Sequence, residues 1–84
     1  VAGAPNAHAT YTLSQLQRIE DMTLRQNWAQ LKDYVLQNPR LISGNDALAI
    51  ELKAFLESML LGGVLSIGFV APSKDLIRGL RRTY

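Results

Sequence analysis

The sequence predicts an all-α protein, built as a small bundle of four or five short helices around one amphipathic helix at residues 46–61. Three observations predict this fold class. Apolar residues recur at spacings of three and four over most of the chain, as they do along one face of a helix. Residues that commonly cap helix N-termini stand directly before these stretches. No segment offers an obvious strand partner to the apolar run at 64–71, whose periodicity alone does not distinguish helix from strand.

The helix at 46–61 has the clearest predicted ends. Asn45 can accept hydrogen bonds from its first free amides, and Asp46 places a negative charge at the positive end of the helix dipole. Gly62 and Gly63 predict its end, because glycine enters the left-handed conformation without strain. One wide apolar stripe runs along this helix, formed by Leu48, Leu52, Phe55, Leu56 and Met59. We therefore expect the core to form around it.

The N-terminal half predicts two helices, at about 13–21 and 24–37, with a single kinked helix as the alternative. Thr12 followed by Gln15 fits a capping box, which places the first start at Leu13. The apolar stripe changes phase near residue 22, where Thr23 and Gln26 could form a second capping box. The second stripe consists of Leu24, Trp28, Leu31 and Val35, so Trp28 is expected to pack in the core.

The rest of the chain predicts a loop at 38–44, an apolar segment at 64–71 and a last helix after Ser73. Pro39 ends the second helix because it forces the preceding residue out of the helical region. The 64–71 segment is expected to be a short helix or an irregular segment buried against the core. Ser73 can cap the last helix, whose apolar side carries Leu76, Ile77 and Leu80.

Length and composition predict one small folded domain. The chain has 84 residues, of which 48% are hydrophobic and 19% charged, a balance typical of chains that fold. Residues 1–10 are small and lack periodicity, so we expect a flexible arm at 1–10 and one helical domain at 11–84. Val1 in place of methionine indicates a processed product or a piece of a longer protein.

The sequence argues against an enzyme. There is no cysteine, which excludes disulfides, thiolate metal sites and thiol nucleophiles. The one histidine, His8, falls in the predicted arm, and no catalytic triad or phosphate-binding loop can be assembled. Glu20 and Asp21 are expected to form a solvated face. No catalytic residue, metal site or cofactor is therefore expected.

The uncharged stretch at 58–73 is too short for a transmembrane helix. Its sixteen residues would span about 24 Å as a helix, against about 30 Å of hydrocarbon. We expect no transmembrane span and, with no cysteine to indicate an oxidising compartment, a cytoplasmic location.

The last helix carries a basic face formed by Lys74, Arg78, Arg81 and Arg82. Residues 73–84 have a net charge of +3, whereas the first 72 residues have −1. Such a face is either the solvated side of an amphipathic helix or a binding surface for an anionic partner. An acidic protein is the preferred partner over nucleic acid, because no aromatic residues are interleaved to stack on bases. Tyr84 and the exposed Tyr34 are the aromatic candidates beside this face.

A short pattern resembles the last helix of the kinase-binding domain in the AvrPtoB family of bacterial effectors. The pattern consists of Ile42-Ser43, then residues 48–53 (LAIELK), then Leu56. A looser extension places Trp28 where that family presents an aromatic residue to a host kinase. After Gly62 the chain departs from the family's pattern. The resemblance implies a protein-binding function.

The expected function is a non-catalytic protein-interaction module of a larger protein, which binds an acidic partner surface through its basic C-terminal helix. Modules of this size and class occur in pathogen effectors and at the nucleoprotein-binding ends of viral polymerase cofactors. Two alternatives remain open. One is a small helical domain that binds nucleic acid, and the other is a self-association domain.

Overall fold

Four α-helices and one 3₁₀ turn follow one another in the computed structural model, which describes residues 11–83. They are α1 (Leu13–Leu24), α2 (Trp28–Gln37), the 3₁₀ turn (Pro39–Ile42), α3 (Ala47–Leu61) and α4 (Lys74–Arg82). No strand occurs in this part of the chain, which confirms the all-α class. The predicted arm at 1–10 and Tyr84 lie outside the described residues.

Helix α1 starts as its sequence predicts and ends later. Thr12 and Gln15 form both hydrogen bonds of the capping box: the Gln15 N–H donates to Thr12 Oγ1 at 3.1 Å, and the Thr12 N–H donates to Gln15 Oε1 at 3.0 Å. The predicted end at residue 21 is wrong. Thr23 does not cap a second helix but lies buried inside α1, because it faces the core at the last turn.

The break between α1 and α2 is made by Gln26, whose φ is +56°. This left-handed conformation turns the chain out of α1, and the Asn27 N–H donates back to the Met22 carbonyl at 2.9 Å. Two helices form, not one kinked helix. Leu24 is 49% exposed and does not join the inner stripe. It is the last residue of α1 and so does not share the face of α2 that carries the rest of that stripe.

Helix α3 has the predicted C-terminus and a shifted N-cap. Asp46, not Asn45, is the capping residue, since its Oδ2 accepts from the Ala49 N–H at 3.2 Å. Asp46 also accepts a hydrogen bond from the Tyr11 hydroxyl, which ties the start of the described chain to α3. Gly63 follows the helix with φ of +79°, a conformation that L side chains rarely adopt.

The core is one apolar cluster to which every helix and the 3₁₀ turn contribute. Its fully buried members are Leu16 and Ile19 of α1, Leu31 and Val35 of α2, Leu41 of the turn, Leu48, Leu52 and Phe55 of α3, and Ile77 of α4. The most extensive helix–helix packing joins α1 to α4, whereas α3 packs mainly on the 3₁₀ turn and α2. The structure therefore does not confirm that the other helices are arranged around α3.

Candidate functional site

An exposed apolar loop joins α3 to α4, and we call residues 62–73 the apolar loop. It contains no charged residue. Leu65 is 99% exposed and Ile67 is fully exposed. Further exposed apolar residues surround these two in sequence: Leu60 and Leu61 at the end of α3, and Val64 and Val70 within the loop. Of the two forms predicted for 64–71, the segment adopts the irregular one and packs on the core through Phe69, but most of its apolar side chains are exposed rather than buried.

The loop is irregular, but hydrogen bonds attach it to the helices at both ends. The Gly63 N–H donates to the Ser58 carbonyl at 3.0 Å, and the Val70 N–H donates to Ser58 Oγ at 3.1 Å. The Ser73 N–H donates to Glu51 Oε1 at 2.6 Å. Ser58 is itself buried and donates its hydroxyl proton to the Phe55 carbonyl, so its orientation is set by α3.

An aromatic cluster holds the middle of the loop against the core. The Phe69 ring lies edge-on to Trp28, with 5.5 Å between ring centroids, and edge-on to Phe55 at 6.1 Å. Trp28 and Phe55 are themselves 5.9 Å apart. Such edge-to-face pairs are favourable because the positive ring edge meets the negative ring face. Trp28 therefore faces the core, as its position in the second stripe predicts, and it is only partly buried.

Two turns inside the loop leave the neighbouring apolar side chains pointing into solvent. The Ser66 N–H donates to the Gly63 carbonyl and the Phe69 N–H to the Ser66 carbonyl, both at 3.1 Å. Gly62 lets this arrangement form, because a Cβ there would lie 2.6 Å from the Ser66 Cβ. Leu65 and Ile67 sit on either side of Ser66 and pack against nothing in the described chain.

The basic face of α4 is partly neutralised by a buried carboxylate. The side chain of Glu20, on α1, is only 9% exposed, and it lies between two arginines of α4. The Arg78 Nε donates to Glu20 Oε2 at 3.2 Å, and the Arg81 Nε lies 2.6 Å from Glu20 Oε1 as an ion pair. The expectation that Glu20 belongs to a solvated face is wrong, because α4 packs over it. Asp21, its neighbour, is exposed and pairs with Arg25 at 3.0 Å.

The other residues predicted for the site are spread over the molecule. Lys74 and Arg82 are exposed on α4. The expectation that Tyr34 is exposed is wrong, because it is half-buried on α2 and packs against the core, with the Arg18 guanidinium 5.4 Å from its ring centroid. Tyr84 lies outside the described residues.

Leu65 and Ile67 are not among the candidate site residues that the sequence predicts. The signal that could have found them is the combination of an uncharged apolar run with three glycines, at positions 62, 63 and 68. Glycines disfavour a helix there, and a short irregular segment has few ways to bury successive side chains.

The described residues carry no sign of a metal centre or a membrane span. No group of three or more histidines, aspartates and glutamates comes together between residues 11 and 83. Within the same range, no helix combines the length and apolar character needed to cross a membrane.

The fold and this site define a small all-helical protein with one exposed apolar loop and a partly neutralised basic helix. Comparisons with protein-family models, with curated proteins and with solved structures find no match to this chain.

Proposed function

We propose that this chain is a non-catalytic protein-interaction module that docks on its partner through the apolar loop. The observation that carries the proposal is the full exposure of Leu65 and Ile67 on a loop attached to the core at both ends. Clustered exposed apolar side chains are typical of interaction sites on small folded proteins. Burying one such side chain in a partner groove contributes about 1.5–3 kcal/mol.

The attachment of the loop supports a binding role. Binding costs free energy when a flexible segment must be ordered, and a loop already held in place loses less conformational entropy. Here Phe69 packs on two aromatic rings while the backbone of Val70 is bonded to buried Ser58. Leu65 and Ile67 are therefore presented on a turn whose two ends are positioned before any partner arrives.

The basic C-terminal helix adds an electrostatic component to this proposal. Lys74 directly follows the loop, and Lys74 and Arg82 are exposed, with no ion pair among the described residues. An acidic partner surface next to an apolar groove would complement this arrangement. Exposed charges of this kind mainly speed association and contribute less to affinity, so their effect should weaken as salt rises.

The test is a partner-capture experiment with matched variants. The wild-type chain, the double variant Leu65→Asp/Ile67→Asp and the control Leu24→Asp are immobilised and exposed to an extract of the native host. Leu24 is a suitable control because it is also an exposed apolar residue, but on α1. We expect a partner that the wild type and the control capture and the double variant loses. The partner is then purified and its affinity for each chain is measured by calorimetry. Equal affinity for the double variant would contradict docking through the loop.

Self-association is the second candidate function, because the same exposed apolar residues could pack against a second copy. Light scattering over a range of protein concentrations distinguishes it. A dimer in the wild type that the double variant loses would show that the loop binds another copy of this chain. Labelled RNA and DNA, titrated at two salt concentrations, test the remaining alternative; tight binding that falls steeply with salt would favour a nucleic-acid-binding domain.

A further inference from the structure

We propose that Arg78 and Arg81 together form a binding site for a phosphate monoester on the partner protein, with buried Glu20 holding the two guanidinium groups in place. The proposal adds a ligand chemistry to the interaction module and takes its biological meaning from that proposed function. The site itself is a property of this chain alone, so it can be tested without a partner.

One carboxylate orients the two arginines. They stand three residues apart on α4 and so project from the same side of the helix. Both reach the same carboxylate on α1, one oxygen each, and both do so through Nε. The Glu20 side chain is nine-tenths buried, so this carboxylate is held by the packing of α1 on α4. The carboxylate thus holds Arg78 through a hydrogen bond and Arg81 through an ion pair.

The contact with Glu20 does not use the terminal Nη groups of the two arginines. Among residues 11–83, no hydrogen bond is formed by an Nη group of Arg78 or Arg81. The buried side-chain nitrogen and oxygen atoms that lack a hydrogen bond are Thr23 Oγ1 and Arg81 Nε, and no Nη atom is among them. The Nη groups of both arginines are therefore not fully buried, and they form no hydrogen bond to residues 11–83. The side chains agree with this, at 41% and 38% exposed.

The charge of the cluster favours a dianion. One carboxylate faces two guanidinium groups, so the cluster keeps an excess positive charge, and Lys74 and Arg82 extend the same basic face. The planar guanidinium donates pairs of parallel hydrogen bonds to oxyanions. A single carboxylate needs one such group. A phosphate monoester has three terminal oxygens and a charge near −2 at neutral pH, so it can use two groups at once. A phosphodiester of nucleic acid carries one charge, and within residues 11–83 no aromatic ring lies against either arginine to stack a base.

The experiment is an NMR titration of the isotope-labelled chain at constant ionic strength. The probes are inorganic phosphate, phosphoserine, acetate and a short oligouridylate. We expect saturable shifts of the Arg78 and Arg81 Nε–Hε signals with inorganic phosphate and with phosphoserine, at least three-fold larger than those of Arg40. Arg40 is the internal reference because it is an exposed arginine in the 3₁₀ turn with no ion pair in the described chain.

The matched variants are Arg78→Lys, Arg81→Lys and the control Arg40→Lys. Lysine keeps the positive charge beside Glu20, so these variants should retain the fold, which circular dichroism checks. Lysine lacks the planar guanidinium and therefore cannot donate the pair of parallel hydrogen bonds to phosphate. We expect each of the first two to weaken phosphate binding at least five-fold and the control to change it less than two-fold. A third variant, Glu20→Gln, separates the orientation of the two arginines from the charge of the cluster. If charge alone attracted phosphate, removing the negative charge of Glu20 would strengthen phosphate binding. If Glu20 orients the two guanidinium groups, the variant should bind phosphate more weakly.

Four outcomes would overturn the proposal. These are non-saturable shifts, an equal response at Arg40, unchanged phosphate binding by both α4 lysine variants, and tighter binding by Glu20→Gln. Acetate binding as tight as phosphate would overturn the assignment to a phosphate, and oligouridylate competing better than phosphoserine would overturn the assignment to a protein ligand. If phosphate binds as expected while the Leu65→Asp/Ile67→Asp chain still captures its partner, the oxyanion site stands and docking through the apolar loop fails.

Discussion

At the scale of single residues, Glu20 is the buried carboxylate that joins α1 to α4. It stands next to Asp21 in the sequence, yet its side chain is buried between two arginines while that of Asp21 is solvated. A buried charge is costly unless it is paired and hydrogen-bonded. Glu20 is therefore stable only while α4 is in place, and it links the first described helix to the last.

Replacing Glu20 by Gln should lower the free energy of unfolding by about 1–3 kcal/mol. The variant leaves two arginines without their anion; the cost stays below that of a fully buried pair because both arginines are about two-fifths exposed. Urea denaturation measures the change. Glu57→Gln is the control, since Glu57 is exposed and has no ion pair in the described chain. Equal stability of both variants and the wild type would show that the cluster does not hold α4.

Because Arg78 and Arg81 pair with Glu20, reversing their charge would affect the fold as well as binding. Both residues belong to the sequence-predicted basic face, where a reversal to Glu would leave the core untouched. In the structure that reversal places three carboxylates together at a buried position. Loss of binding in such a variant would not be separable from loss of the α1–α4 packing.

At the scale of the elements, the division between α1 and α2 depends on one residue in an unusual backbone conformation. Gln26 has φ of +56°, which costs a non-glycine residue about 1 kcal/mol or more. The surrounding structure maintains it, since Asn27 is bonded back to Met22 and α2 then begins with Trp28 against the core.

Gln26→Gly should therefore leave the protein as stable as the wild type or raise its free energy of unfolding by up to about 1 kcal/mol. Gln17→Gly, the same change at an exposed site within α1, should lower it by about 1 kcal/mol, because glycine is unfavourable inside a helix. In thermal unfolding, Gln17→Gly should lower the melting temperature, whereas Gln26→Gly should leave it unchanged or raise it. A large loss with Gln26→Gly would mean that its side chain, not its backbone, makes the turn.

The stripe of α3 should account for a large part of the stability. Leu52 and Phe55 are fully buried, so their replacement by Ala should cost about 2–5 kcal/mol each. Ile50 lies on the outer side of the same helix, and Ile50→Ala should change stability by less than about 0.5 kcal/mol. Urea melts of the three variants test this; similar midpoints for all three would mean that the stripe is not part of a folded core in solution.

At the scale of the whole molecule, stability and interaction are carried by different parts of the chain. The core joins all four helices and the 3₁₀ turn, while the apolar loop adds Phe69 to it and buries Pro72 beside α4 in sequence. Leu65 and Ile67 do not stabilise the fold in the described structure, although their exposure is unfavourable in water. This separation is what a docking loop requires.

The double variant Leu65→Ser/Ile67→Ser should accordingly keep the free energy of unfolding within about 0.5 kcal/mol of the wild type and should raise the solubility. Leu48→Ser is the contrasting control, because Leu48 is fully buried and the change leaves a cavity and a buried hydroxyl, at a cost of several kcal/mol. Urea denaturation and the concentration at which the protein aggregates give the two readings. If the loop variant were strongly destabilised, Leu65 and Ile67 would have to be packed inside the fold, contrary to the prediction.

The sequence by itself determined what depends on neighbouring residues. The capping box at Thr12, the cap at Ser73 and the end of α3 at Gly62 all follow from hydrogen bonds or backbone freedom within a few positions. The inner stripe of α3 follows equally, because helical periodicity places its members on one face.

Only the tertiary structure decided which polar groups are buried and which apolar ones are not. Glu20 is buried because α4, nearly sixty residues further along the chain, packs over it. No local sequence pattern predicts a contact between residues so far apart. Leu65 and Ile67 are exposed because Phe69 takes the contact with Trp28 and Phe55, after which the turn around Ser66 directs its neighbours outward. Burial depends on how the helices and the loop pack together. The burial of Glu20 and the exposure of Leu65 and Ile67, on which the two proposals rest, are therefore determined by the tertiary structure.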